Sequence, residues 1–213
     1  MEAGAGGNGA AGDRRRTDAT ENAILDAAAE CVLAFGVRRT SLSDVARRAG
    51  VSRPTVYRRW PDRQALVADL MTRELTAVFG TAAGHEPDRP GEVRAQAVGQ
   101  FLTAAAGLRA HPLLTKIIQA DPELLQPYIF DRLGASQRMA LGFVASRIRA
   151  GQRDGSVRAG DATAMSATVL LSIQSLVLSA RTMAGLLTPS QLDAEAAVLL
   201  DRYLGPGGQD GAA

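Results

Sequence analysis

Residues 41–60, SLSDVARRAGVSRPTVYRRW, set two helix-starting serines, Ser41 and Ser52, on either side of a single glycine, Gly50. A serine at that position accepts from the otherwise unpaired amides of a first helical turn. Asp44, three residues after Ser41, completes the spacing of a capping box. Val45, Ala46 and Ala49 supply the apolar side of the first short helix, and glycine at 50 permits a sharp change of chain direction. Val51 is expected to be buried in the turn. Pro54 is tolerated in the first turn of the second helix, where amides lack intrahelical partners, and Trp60-Pro61 stops it. Two capped short helices around a tight turn form a helix-turn-helix.

The flanking residues supply the rest of a small helical domain. Ile24, Ala28, Cys31 and Phe35 recur at helical spacing on one face of a helix from Asp18 to Phe35, with Asp26 and Glu30 opposite. Leu33 falls outside this pattern. Gly36 ends the helix, as glycine does after a last turn. Asp62 caps a fourth helix reaching about Gly80, with Leu66, Val67, Leu70, Met71, Leu75, Val78 and Phe79 in a broad apolar band. Cys31 reads as a core residue, and one cysteine excludes an internal disulfide.

Apolar residues reach 46% but aromatics only 4%, with Ala and Leu dominant, which favours helices over strands. Breakers at 81–91, His111-Pro112, Asp121-Pro122, 151–160 and Thr188-Pro189 delimit further helices at about 91–109, 112–120, 122–152, 160–185 and 189–204. The expectation is an all-α chain of about nine helices. It comprises a disordered tail at 1–17, a helix-turn-helix domain at 18–78, a larger helical domain at 79–204, and a disordered tail at 205–213. Ala164 to Leu187 approaches the length of a membrane span, but Ser172, Gln174, Ser175, Ser179 and Arg181 interrupt it. No apolar run follows a basic region near the start, so a cytoplasmic protein without membrane contact is expected.

Charge is concentrated. Residues 38–63 hold eight arginines against Asp44 and Asp62, whereas the whole chain carries only +2. Such a cluster is the electrostatic footprint of a polyanion partner, and Arg14 to Arg16 offer either a trailing basic arm or a plain flexible tail. On the second helix of the motif, Val56 and Trp60 lie within about 40° of each other and face inward. Arg53, Pro54, Thr55 and Arg58 project outward, with Tyr57 on the flank. Arg53 and Arg58 are the candidate base readers, because a guanidinium matches guanine O6/N7 bidentately. Thr40, Thr55, Tyr57 and Arg63 are candidate phosphate anchors; Ser41, Ser52 and Pro54 complete the DNA-binding set.

The run ILDAAAECVLAFGVRRTSLSDVARRAGVSRPTVYRRWPDRQALVADLM, residues 24–71, resembles the N-terminal domain of the tetracycline-repressor (TetR) family. The shared features are the ILDAA opening, the Thr-Ser start of the second helix, the AGVS turn, Thr55-Val56-Tyr57, and an aromatic, Trp60, followed by Arg63. Trp60 stands where the family usually has Phe, and Pro54 where Gly or a small polar residue is common.

The resemblance implies a repressor that binds a palindromic operator in double-stranded DNA as a homodimer and is released by a small-molecule effector. It implies that the last two helices of each protomer form a four-helix bundle. The segment 160–185 is apolar on nearly all sides, which independently suggests that one side meets a second subunit. Leu170, Ile173, Leu176 and Val177, with Leu199 and Tyr203, are the expected dimer contacts. A single recognition helix buries roughly 600–1,000 Å² on DNA, and two-fold symmetry doubles that. The resemblance makes 79–204 the effector-binding and dimerisation domain, with a pocket among the middle helices and Gln100, Thr103, His111, Gln119, Tyr128 and Gln174 as candidate polar contacts. Control by a protein partner, or no effector at all, stays open as the alternative. No cofactor or metal site is expected, and the chain lacks a phosphate loop, metal-ligand pair or nucleophile motif of an enzyme.

Overall fold

The computed structural model describes residues 7–84 and 91–206. Among them are ten α-helices and no strand: α1 (Gly7–Phe35), α2 (Leu42–Arg48), α3 (Arg53–Arg59), α4 (Arg63–Ala82), α5 (Val93–Ala110), α6 (Pro112–Ala120), α7 (Gln126–Phe130), α8 (Ala135–Asp154), α9 (Ala162–Leu178) and α10 (Pro189–Leu204), with 3-10 turns at Pro122–Leu124 and Ala180–Met183. α1 begins at Gly7 rather than Asp18, in a stretch that includes the good helix formers Ala10, Ala11 and Arg14 to Arg16. Residues 1–6 and 207–213 of the two expected tails lie outside the described residues.

The chain forms two compact units, one of Met1–Met71 with Lys116–Leu124 and the other of Thr72–Thr115 with Leu125–Ala213. The division therefore falls inside α4, before the expected boundary at 78, and the first unit recruits a segment from far along the chain.

In the first unit α1 packs on α2 and α2 on α3. Ile24, Ala28, Cys31 and Val32 of α1, Leu42, Val45 and Ala46 of α2, Val56 of α3, and Leu66 and Leu70 of α4 are buried together with Trp60 and Ile117. Phe35 departs from the expected α1 face: its ring is 58% exposed. It is the last residue of the helix, and the chain turns away at Gly36 with φ +82°. Val51 is half-buried rather than buried.

In the second unit α5 packs against α8, α9 and α10, and α8 against α9. Phe101, Ala104 and Ala105 of α5, Val144 and Ile148 of α8, Met165, Val169 and Ile173 of α9, and Leu200 and Leu204 of α10 form its interior. The single helix expected at 122–152 is broken: Gly134 takes an extended conformation (φ −77°, ψ 171°) and caps α8, leaving α7 as a separate short helix. The segment expected at 160–185 stops as α-helix at Leu178 and tightens to a 3-10 turn. No helix among the described residues is long and apolar enough to cross a membrane.

Candidate nucleic-acid interface

Serine capping builds the two short helices as the sequence predicts, while the Asp44 carboxylate takes the Ser41 hydroxyl in place of the Ser41 amide of a capping box. Ser41 Oγ accepts from the Asp44 amide at 3.1 Å and donates to its carboxylate at 2.5 Å. That hydroxyl, followed by the Arg47 guanidinium 2.7 Å away, holds the Asp44 carboxyl below its ordinary value of 3.8. Gly50 adopts φ +66°, and the Val51 amide turns back to the Ala46 carbonyl at 3.0 Å. Ser52 caps α3, accepting from the Thr55 amide at 3.4 Å, and its hydroxyl shares a 2.7 Å hydrogen bond with Thr55 Oγ1. Val56 and Trp60 are fully buried beneath α3. Arg53, Pro54, Tyr57 and Arg58 are exposed on the opposite side, Thr55 is half-buried, and Ser41, Ser52 and Arg63 are exposed beside them.

The arginine cluster is not uniformly free. Arg47 pairs with Asp44 at 2.7 Å, Arg48 with Glu30 at 2.7 Å, Arg59 with Glu21 at 2.9 Å and Asp69 at 3.3 Å, and Arg38 with Glu123 at 2.6 Å. Arg39, Arg53, Arg58 and Arg63 have no carboxylate within ion-pair distance among the described residues, and Arg63 Nη1 donates to the Arg38 carbonyl at 2.6 Å. The cationic surface is thereby narrowed to the outer face of α3 and the residues that flank it. Arg39, exposed and directly before the start of α2, is a further candidate that sequence reasoning passed over. Its signal was only membership of the Arg38-Arg39 pair, and which of the two would be neutralised depended on Glu123.

Thr40 corrects the expected anchor set. It is 2% exposed, and its hydroxyl donates to the Gly36 carbonyl at 2.8 Å, so it braces the α1–α2 turn and has no free donor for a phosphate.

The candidate effector residues divide. Gln100 is buried and donates through Nε2 to the Ala83 carbonyl, leaving Oε1 unpartnered. His111 is half-buried with Nε2 3.5 Å from Glu74 Oε2 and Nδ1 unpartnered. Gln137, absent from the expected set, joins two members of it by donating to the Tyr128 carbonyl at 2.9 Å and to Gln174 Oε1 at 2.8 Å. Arg147, also unforeseen, donates to the same Ala83 carbonyl as Gln100 at 3.1 Å, while its Nε has no partner. Thr103 and Gln119 do not join them. Thr103 is exposed with its hydroxyl turned back to Gly99, and Gln119 is exposed and belongs to the first unit.

Two of the expected dimer contacts, Ile173 and Val177, are corrected in the same way. Ile173 and Val177 are 7% and 8% exposed and are buried within the chain itself, as Val169 is. The open side of α9 is marked by Leu171, 66% exposed, and that of α10 by Val198 and by Leu199, the one expected contact that is exposed. Leu176 and Tyr203 are half-buried, as is Leu170.

A capped helix-turn-helix with an unpaired cationic face defines a DNA-binding transcriptional regulator. Residues 24–70 match the family described as bacterial regulatory proteins, tetR family. The chain is 40% identical over 185 residues to the uncharacterized HTH-type transcriptional regulator Rv2250c of Mycobacterium tuberculosis, a match covering 87% of this chain and 94% of that one. In fold it is similar to the fatty acid degradation regulator FadR from Bacillus halodurans (TM-score 0.63, 16% identity, covering 89% of this chain and 96% of the other). It is similar also to SmeT of Stenotrophomonas maltophilia in complex with triclosan (TM-score 0.59, 20% identity, 92% and 99%). The chain belongs to the tetR family of bacterial regulatory proteins, a family of regulators and not of enzymes.

Proposed function

We propose that the protein is a cytoplasmic repressor that binds a palindromic operator as a homodimer and releases it when a small molecule binds the second unit. The observation that carries the DNA-binding half is the division of the arginine cluster. The cations left without a carboxylate are the ones on and beside the outer face of α3, where base edges and phosphates would be met. Arg53 and Arg58 read bases; Arg39, Tyr57 and Arg63 hold phosphates. The apolar residues open on α9 and α10, Leu171, Val198 and Leu199, support pairing with a second copy. The buried polar atoms without partners, Gln100 Oε1, Arg109 Nη1, His111 Nδ1 and Arg147 Nε, support a ligand in the second unit. SmeT, a repressor of a multidrug efflux pump captured with triclosan, is a precedent of the same fold.

Release requires that the effector favour the conformation whose recognition helices no longer match the DNA, since equal affinity for both states shifts nothing. The test is selection of bound sequences from random duplexes at near-physiological salt. Enrichment of a palindrome with half-sites about one helical turn apart, abolished in an Arg58→Ala/Tyr57→Phe variant, is the expected result. No enrichment overturns the operator reading, and enrichment of a single half-site overturns the dimer.

A further inference from the structure

The turn between α1 and α2 is held by a side chain that arrives from far along the chain. Asp121, just beyond the end of α6, is 2% exposed, and its Oδ2 accepts the Val37 backbone N–H at 2.8 Å across a sequence separation of 84 residues. Its other oxygen lies 3.6 Å from Nε of Arg38, which also donates to Glu123 at 2.7 Å. Asp121 and Glu123 belong to the 116–124 segment that is part of the first compact unit.

The turn is also tied down by residues nearer to it in the chain. Arg63 donates to the Arg38 carbonyl at 2.6 Å, the Thr40 hydroxyl donates to the Gly36 carbonyl, and the Thr40 amide reaches the Val37 carbonyl at 3.1 Å. Val37 and Thr40 point inward and are buried, which leaves Arg39 exposed between them and directly before the Thr40-Ser41 start of α2. The approach of Asp121 also explains the residue at 36. Besides its φ of +82°, a β-carbon there would lie 3.1 Å from Asp121 Oδ2.

From this geometry we propose that Asp121 is a positioning residue for DNA binding. Its carboxylate satisfies the inward Val37 amide of the α1–α2 turn and so holds Arg39 and the start of α2 at the DNA surface. Together with Glu123 it also withholds Arg38 from that surface. A buried amide left without an acceptor pulls the turn toward solvent or toward a new partner. Either movement displaces Arg39 and the first turn of α2 while leaving the α3 residues chemically unchanged. This inference rests on the DNA-binding reading above and goes beyond it, because no residue of the 116–124 segment touches DNA in that reading.

The experiment compares the full-length protein with Asp121→Ala, Asp121→Asn and Arg39→Ala, alone and combined, on the selected operator and on a random duplex. It is run at a temperature where circular dichroism shows every variant folded. Asn retains an oxygen that accepts the Val37 amide, whereas Ala does not. The expected result is an operator-affinity decrease of about tenfold for Asp121→Ala, the size of one buried hydrogen bond. Asp121→Asn should restore affinity to within about threefold, a decrease smaller than that bond is worth. Removal of Arg39 should cost less in the Asp121→Ala background than in the parent, a coupling that a merely stabilising role would not produce. Hydrogen exchange at the Val37 amide should be slow in the parent and in Asp121→Asn, and fast in Asp121→Ala.

A folded Asp121→Ala with parental operator affinity overturns the proposal, and so does additivity with Arg39→Ala. Equal decreases in Asp121→Ala and Asp121→Asn also overturn it, because Asn keeps the oxygen that accepts the Val37 amide. If Asp121→Ala fails to fold, the Asp121→Asn exchange and affinity measurements decide alone. Failure of the parent itself to prefer operator over random duplex would strike the DNA-binding reading instead, which keeps the two outcomes apart.

Discussion

The indole N–H of Trp60 donates to Oδ2 of Asp69 at 2.9 Å, from a ring that is 1% exposed. The same carboxylate meets Arg59 at 3.3 Å, and the Arg59 guanidinium lies 5.2 Å from the Trp60 ring centroid. α4 thus supplies an acceptor for the one polar atom of the buried Trp60 side chain. Asp69→Ala should therefore destabilise the protein by about 1–3 kcal/mol, the penalty for an orphaned buried donor, while Asp69→Asn should recover most of that stability. Urea unfolding at fixed protein concentration measures both. A neutral Asp69→Ala would show that the indole finds water.

The division of the arginines predicts different salt dependences. Arg39→Ala should lower the slope of log affinity against log salt by about 0.9 for each phosphate that Arg39 neutralises in the parent. Arg47→Ala and Arg48→Ala should leave it close to the parent, because those guanidinium groups are committed to Asp44 and Glu30. Arg58→Ala should relax discrimination at one base position by about 1–3 kcal/mol. Fluorescence anisotropy over a salt series, on operator and random duplex, separates these outcomes.

Opposite sides of α9 should respond differently to mutation. Leu171→Asp with Leu199→Asp should yield folded monomers, since both side chains are open in the protomer. Ile173→Ala should instead destabilise by about 2–5 kcal/mol through a core cavity. Sedimentation velocity and thermal melting report the two effects. Dimers persisting in the Leu171/Leu199 variant would place the interface elsewhere.

Asp154, at the end of α8, accepts from the Gly91 amide at 2.9 Å and from the Ser156 amide and hydroxyl at 2.9 and 2.6 Å. Burial pushes its carboxyl up, but these bonds together outweigh burial and hold it below 3.8. A carboxyl lowered in the folded state stabilises the protein above its unfolded value and ceases to do so as pH falls through the folded one. Asp154→Asn should consequently be less stable than the parent at neutral pH, with the gap closing below 3.8. Urea unfolding on both sides of that pH tests the sign.

Much of the helix-turn-helix was legible in the chain because it is built from local rules. Ser41, Asp44, Gly50 and Ser52 act within one or two turns of themselves, and Val56 and Trp60 follow from helical spacing alone. The breakers at His111-Pro112 and Thr188-Pro189 likewise located the starts of α6 and α10. Spacing failed at Phe35, where the helix runs out before the ring is covered, and at 122–152, where Gly134 interrupts a pattern that periodicity alone continues.

By itself, then, the sequence determined the helix-turn-helix, its inward and outward faces and the family of regulators, since caps, glycine turns and apolar spacing act between near neighbours. Only the tertiary structure decided which arginines remain free, which side of α9 is open, and that Asp121 anchors the turn before α2. Those outcomes depend on charges and side chains brought together across tens of residues, such as Glu123 against Arg38 and Asp121 against the Val37 amide. Pairings at that range are set by how the helices pack, and no local pattern encodes them.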